Sequence, residues 1–224
     1  MTHRTKPNSR SAWLSLLWLT AIPVLSIFYG ILNRPAERVY SLMIDLDRLT
    51  PFVPAFGVSY VLWYLFIPAV LIALAFKNKA VYYQTLFALC GGLAVSYLVY
   101  ALFQTTVLRP DLAAETGLFH QLVRWVYQHD QPFNCFPSIH VLTSYLMLRE
   151  AGAFKRSISL VVAGMSVLII ASTLFIKQHV LADVAGGILV GELLFRSAGL
   201  FVPLIRRYGG RLLWKGEKRH VSAE

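Results

Sequence analysis

Charge is scarce in this chain. Only 14% of its 224 residues are Asp, Glu, Lys or Arg, against roughly a quarter in a soluble domain. With 57% hydrophobic residues and a mean hydropathy of +0.58, the chain has too little polar surface for a water-soluble globule. Acid is scarcer than base, 11 Asp and Glu against 21 Lys and Arg. No basic helix with an interleaved polar face is present, however, and no basic repeat. Nucleic acid is therefore excluded as partner, and the excess of Lys and Arg reads as membrane orientation and headgroup attraction. Cysteine is limited to Cys90 and Cys135, without zinc-type or CxxC spacing, so no metal site is expected from it. Internal repeats, low-complexity stretches and a soluble appendage are absent too.

What remains is a succession of apolar runs of membrane-spanning length. The first, residues 11–32, follows a basic start but ends in Asn33-Arg34-Pro35 without an A-x-A-like cleavage site. It is expected to be a retained helix with a kink at Pro23, not a signal peptide. Further spans are expected at 57–76, 81–107, 137–148, 158–176 and 179–205. Residues 33–56 differ: Val39, Leu42, Met43, Leu46 and Leu49 recur at helical spacing, which fits either a helix lying in the interface or an ordinary connector. Residues 108–136 form the one long loop, with a short helix expected over 118–130. The expected fold is an all-α integral membrane protein. It is a six-transmembrane helix bundle with an interfacial helix and a short helix in an extracellular-side loop, all in a single membrane domain of residues 1–224.

The basic residues orient it. With the N-terminus inside, fourteen of the 21 Lys and Arg fall on the cytoplasmic side, including the basic tail 206–224, and six on the far side; Arg196 lies within the last span. The positive-inside rule then places both termini in the cytoplasm of a multi-pass cell-membrane protein. Glu192 and Arg196, four apart with the acid first, read as a structural ion pair. Gly186, Gly187 and Gly191 read as small-residue helix packing.

Ionisable groups at membrane depth cost on the order of 3 kcal/mol each, and here they gather at three junctions. Arg109 ends the third span; Ser138 and His140 begin the fourth; Lys177, His179 and Asp183 begin the sixth. An even number of crossings separates the junctions, so all open to the outer face. Each group suits phosphate. Pro137 fits the first turn of a helix, whose free N–H groups make an anion site. Ser138 donates a hydroxyl there, and Arg109 and Lys177 supply positive charge. His179 and Asp183 share a helical face, so the carboxylate can hold one ring nitrogen and leave the other to attack phosphorus. His140 is placed to protonate a leaving oxygen and then to activate an acceptor. The competing reading of each histidine alone is a cap or an interfacial residue. His120 and His129, nine apart, share no face and have no metal-ligand partner at suitable spacing.

In order along residues 102–183, "RP" (Arg109-Pro110), "PSIH" (Pro137 to His140) and "STLFIKQHVLAD" (Ser172 to Asp183) resemble three motifs of the type 2 phosphatidic acid phosphatase superfamily. Those motifs read K-x6-R-P, P-S-G-H and S-R-x5-H-x3-D. The resemblance implies that His179 becomes a phosphohistidine, Asp183 orients it, His140 is the acid and base, and Arg109 and Ser138 hold phosphate. It implies no cofactor, and a lipid phosphate or phospholipid as substrate. Three positions depart from the pattern: Leu102 stands for its lysine, Ile139 for the glycine and Thr173 for the arginine, with Lys177 as a replacement cation. "PSIHV … KQHVLADVAGG" is more similar to the branch containing inositol phosphorylceramide synthases and related bacterial proteins. That branch moves headgroup phosphate between lipids and alcohols. Hydrolase and transferase differ only in the acceptor. The alternative from a different class is a transporter or lipid-binding protein that uses the same cations for an anionic headgroup. Oligomeric state is not readable.

Overall fold

A computed structural model describes residues 9–208 of the chain; most of the basic tail, residues 209–224, lies outside the described residues. The elements in chain order are α1 (Ser9–Leu16), α2 (Ala21–Leu32), β1 (Tyr40–Ser41), α3 (Asp45–Leu49), α4 (Gly57–Lys77), α5 (Lys79–Leu102), β2 (Thr105–Thr106), α6 (Leu118–His129), α7 (Ile139–Glu150), α8 (Arg156–Phe175) and α9 (Leu181–Tyr208). Helix dominates, as the apolar runs require, and among the described residues five stretches are long and apolar enough to cross a membrane: Trp13–Leu32, Pro54–Lys77, Lys79–Leu102, Arg156–Phe175 and Leu181–Phe201.

The expected fourth span, α7, has only 12 residues, about 18 Å at 1.5 Å per residue, short of a hydrocarbon core of about 30 Å. Its place explains its composition. It sits inside the bundle against α4, α5, α8 and α9, with Leu142, Leu146 and Met147 fully buried. A helix enclosed by protein can carry Ser138, His140, Thr143 and Ser144 without exposing them to lipid.

The first span is one membrane-length stretch interrupted by a tight turn at Leu17–Thr20. Pro23 follows in the first turn of α2. It has no N–H to give the carbonyl four residues back, so the regular ladder breaks ahead of it. Residues 33–56 depart from the expected interfacial helix. Only Asp45–Leu49 is α-helical, with a single 3-10 turn at Pro54–Phe56, and Tyr40 and Ser41 pair in parallel with Thr105 and Thr106 instead. The latter two residues also end α5 earlier than the expected 107; their branched side chains suit extended backbone. Gln104 ties this corner together, accepting from the Ala36 N–H and donating to the Leu32 and Arg34 carbonyls. Thr105 also bridges to Asn134, and its hydroxyl accepts from the Phe136 N–H at 2.8 Å. Three stretches distant in sequence thus form one woven cap over the end of the bundle where the motif residues lie.

Two glycines let α9 approach α7. A Cβ on Gly187 would stand 2.6 Å from the Ser138 carbonyl oxygen and 3.2 Å from the Leu142 nitrogen, and one on Gly186 would stand 2.5 Å from the Phe136 ring. The small-residue reading of this stretch therefore has a definite partner, the start of α7. At the other end of α7, Glu192 accepts from Tyr145 at 2.8 Å and from Arg149 at 2.7 Å, as well as from Arg196 at 2.5 Å. The expected helix pair is a junction between two helices.

Candidate active site

The three junctions named from sequence meet at one end of the bundle. Ser138 caps α7: its backbone is extended and its hydroxyl oxygen accepts from the Val141 N–H at 3.3 Å. Serine is a strong N-cap, so the helix begins at Ile139, and Pro137 stands before the cap instead of in the first turn. The Ser138 N–H donates to the Asp183 carbonyl at 3.1 Å, which locks the starts of α7 and α9 together. His140 follows in the first turn of α7, 3% exposed.

Before α9 the chain is held by several bonds. The N–H groups of Gln178 and His179 both donate to the Thr173 carbonyl at 3.0 Å. Lys177 is the one described non-glycine residue with positive φ, at 55°, and its left-handed backbone turns the chain out of α8. The first N–H of α9, from Leu181, donates to Asp47 Oδ1 at 2.8 Å, while Asp47 Oδ2 takes the Ile44 N–H. One buried carboxylate thereby caps α9 and ties the 44–50 segment over it, which suits the positive end of a helix dipole.

Within this frame His179 Nδ1 lies 3.2 Å from Asp183 Oδ2, both side chains being buried, and the same oxygen accepts from the Val180 N–H at 3.0 Å. The rings of His179 and His140 are 5.9 Å apart. His140 packs against Tyr60 and Trp63, with ring centroids 4.4 Å away on each; Trp63 in turn donates to Thr143 at 2.7 Å. His140 Nδ1 is 3.3 Å from the Tyr60 hydroxyl, and its Nε2 is buried without a hydrogen-bond partner, as is Asp183 Oδ1. Buried polar atoms without partners are uncommon and concentrate where chemistry is done.

The cations are placed differently from one another. Arg109 stacks on the Tyr127 ring at 4.5 Å and donates to the Asp130 carbonyl at 2.7 Å and to the Gln178 side chain, beside the nucleophile candidate in sequence. Its Nε is buried without a partner. Lys177 lines a narrow cleft with His179, Met43, Thr50 and Val107. Its ammonium donates to the carbonyls of Asp47 and Thr50 at 2.9 and 2.5 Å. Burial lowers its pKa and Asp47 partly restores it.

Several residues of the site carried no local signal. Asp130 is buried and accepts from Tyr60 at 2.5 Å and from Tyr29. Tyr60 and Asp130 belong to no motif, Gln178 fills an unspecified position of the third, and their contacts span 48 to 118 positions. Cys135 lies with His179 and Asp183 so that one ligand atom of each falls within 4.8 Å of the others. These are donor types that could hold a soft cation. Here Asp183 Oδ2 already serves His179 and Val180, and burial together with the Asp183 charge pushes the Cys135 thiol well up. His120 and His129 stand apart from this grouping, His120 3.7 Å from Glu115 and His129 on Trp125.

Two neighbouring histidines, one backed by a carboxylate, with an arginine and a helix N-terminus alongside, make a site suited to a tetrahedral oxyanion. Comparison with curated proteins and with solved structures returned no match. The model of the PAP2 superfamily matches residues 85–206, more than half of the chain and the whole stretch holding these motifs. The chain belongs to the PAP2 superfamily, whose members are generally phosphatases working on phosphate esters.

Proposed function

We propose that this protein is a membrane lipid phosphatase or headgroup phosphotransferase that works through a covalent phosphohistidine at the outer face. The observation that carries this reading is the His179–Asp183 pair set across 5.9 Å from His140. Asp183 on Nδ1 leaves the Nε2 lone pair of His179 for in-line attack on phosphorus. His140, protonated, then gives its proton to the departing alkoxide. In the second half the neutral His140 removes a proton from water or an alcohol, whose oxygen displaces His179 from phosphorus. Arg109 and Ser138 neutralise and hold the non-bridging oxygens, helped by the first N–H groups of α7. Lys177 adds charge at the rim of the cleft.

The lipid assignment rests on what surrounds that cleft. Ile44, Leu46, Leu49 and Leu108 are all more than half exposed on the loop side of the bundle. In water such a fringe is unfavourable; at a bilayer surface it is a place for acyl chains and for the 44–50 segment to dip into the interface. A sixth crossing by α7 is supported at its far end. There Arg149, Glu150 and Gly152 line one cleft with Lys77 and Asn78 of the α4–α5 turn, so α7 reaches the same level as a 21-residue helix. Six crossings put both termini inside and the site outside, in a cell membrane. Departures from the family pattern at Leu102, Ile139 and Thr173 favour the transferase branch, with an alcohol as acceptor.

The test uses purified protein in detergent with a panel of lipid phosphomonoesters and phosphodiesters, beside His179→Ala. Release of phosphate or transfer of a headgroup is expected from the native protein, with loss of at least about 1,000-fold in the variant, the scale of losing a nucleophile. Lipid binding without turnover, retained in His179→Ala and lost in Arg109→Ala, would instead identify a binding protein or transporter.

A further inference from the structure

We infer that Tyr60 and Asp130 form a second orienting relay, which holds His140 in the tautomer with its proton on Nδ1 and its basic nitrogen turned to the phosphate. This inference rests on the acid and base role given to His140 above.

The proton inventory decides the arrangement. A tyrosine hydroxyl has one proton and two acceptor positions. The Tyr60 oxygen is 2.5 Å from Asp130 Oδ2 and 3.3 Å from His140 Nδ1. The shorter bond, to a carboxylate, takes the hydroxyl proton, because hydrogen bonds to ionised acceptors are the shorter and stronger ones. The Tyr60 oxygen is then left as an acceptor toward His140, and it can accept only if Nδ1 bears a hydrogen. Its other acceptor position faces the Gln178 amide at 3.4 Å. Neutral imidazole with Nδ1–H has its lone pair on Nε2, the atom that is buried and without a partner. A histidine set with its reactive nitrogen free and its other nitrogen held is the same logic as His179 and Asp183, here with a tyrosine interposed.

Asp130 is placed for this task, with the Asn33 and Gln178 amides as weaker donors at 3.4 Å each. It is 7% exposed and carries no direct cation. Arg109 is bound to its backbone carbonyl, not to its carboxylate. Its two oxygens each receive a tyrosine hydroxyl, Oδ1 that of Tyr29 from α2 and Oδ2 that of Tyr60 from α4. The Tyr60 and Trp63 rings both pack against the imidazole at 4.4 Å, which hinders its turning over. During the first chemical step the proton leaves Nε2 for the alkoxide and Nδ1–H stays on Tyr60. During the second, the acceptor's proton arrives on Nε2 and the imidazolium faces Asp130 across one hydroxyl. No proton crosses the relay, and Tyr60 and Asp130 are positioning residues.

The leaving group separates this role from a structural one. An alkyl phosphate must expel an alkoxide and needs the proton of His140, whereas p-nitrophenyl phosphate expels a stable phenolate without it. Phosphoenzyme formation is measured in single turnover for native protein and Tyr60→Phe, with a lipid phosphomonoester and with p-nitrophenyl phosphate. General acid catalysis contributes about 100- to 10,000-fold. A misheld acid is therefore expected to slow the lipid substrate by about thirtyfold or more, with the aryl substrate changed less than about threefold. In a His140→Ala background Tyr60→Phe is expected to add no further loss. Equal slowing of both substrates, or of neither, overturns the relay while leaving the phosphohistidine reading intact. Failure of the native protein to form a phosphoenzyme from either substrate overturns both. Should Tyr60→Phe not fold, nitrogen-15 spectra of the native protein decide the matter: a His140 proton on Nδ1 is required, and one on Nε2 refutes the relay.

Discussion

At the scale of single residues, the proposed chemistry turns on which nitrogen of each histidine is held. Asp183 Oδ2 takes both the His179 ring and the Val180 N–H. In Asp183→Asn that one position serves both groups: an amide oxygen there still accepts from both but no longer carries the charge that stabilises the imidazolium of a phosphorylated His179, and an amide nitrogen there forces the His179 proton onto Nε2. Either way the nucleophile is weakened while the fold is kept. Turnover is expected to fall by about 1,000- to 10,000-fold, up to the loss that the same change brings to an oriented histidine elsewhere, with the thermal midpoint in detergent nearly unchanged. Rapid-quench trapping of the phosphoenzyme checks this; normal trapping would mean that Asp183 only caps α9. The pair was legible in sequence because it is local, four residues on one helical face. Tyr60 and Asp130, 70 positions apart, leave no such mark. A tyrosine at the start of an apolar run and an aspartate in a polar loop look ordinary until the fold joins them.

At the scale of elements, the site depends on how closely α9 lies against the start of α7. Gly187 faces the Ser138 carbonyl, which is backbone and cannot swing away. Gly187→Ala is expected to cost about 1–3 kcal/mol as the helices are pushed apart, and to lower activity as Ser138 and Asp183 part. Gly164 on α8 has open space at its Cβ position, so Gly164→Ala is expected to be neutral or to stabilise by about 0.5–1 kcal/mol through helix propensity. Thermal unfolding of the two variants in one detergent compares them, and similar midpoints would deny the close approach. Long apolar helices could be delimited from sequence within a few residues because hydropathy changes abruptly where lipid ends. The 33–56 stretch could not. Its apolar spacing satisfies a helix, but the choice was made by Thr105 and Thr106 pairing with Tyr40 and Ser41, and by Asp47 reaching Leu181. Those are long-range bonds, and periodicity does not register them.

At the scale of the whole molecule, the proposal requires one side for all three junctions and the opposite side for the α4–α5 and α7–α8 turns. The fold meets the geometric half of this requirement. The woven cap of residues 36–41, 104–106 and 133–136 lies at the His179 end, and the cleft shared by Lys77 and Arg149 lies at the other. For which end faces out the proposal rests on charge alone, fourteen of the 21 Lys and Arg falling on the side it assigns to the cytoplasm. Native cysteines offer little background for labelling, Cys135 being buried and Cys90 partly so. Gln128 in the loop helix and Ser157 at the start of α8 are both exposed. In sealed right-side-out vesicles, an impermeant maleimide is expected to modify Gln128→Cys at once and Ser157→Cys only after detergent is added. The reverse pattern would turn the active site to the cytoplasm. It would leave the histidine chemistry untouched, but the substrate would then have to come from the inner leaflet.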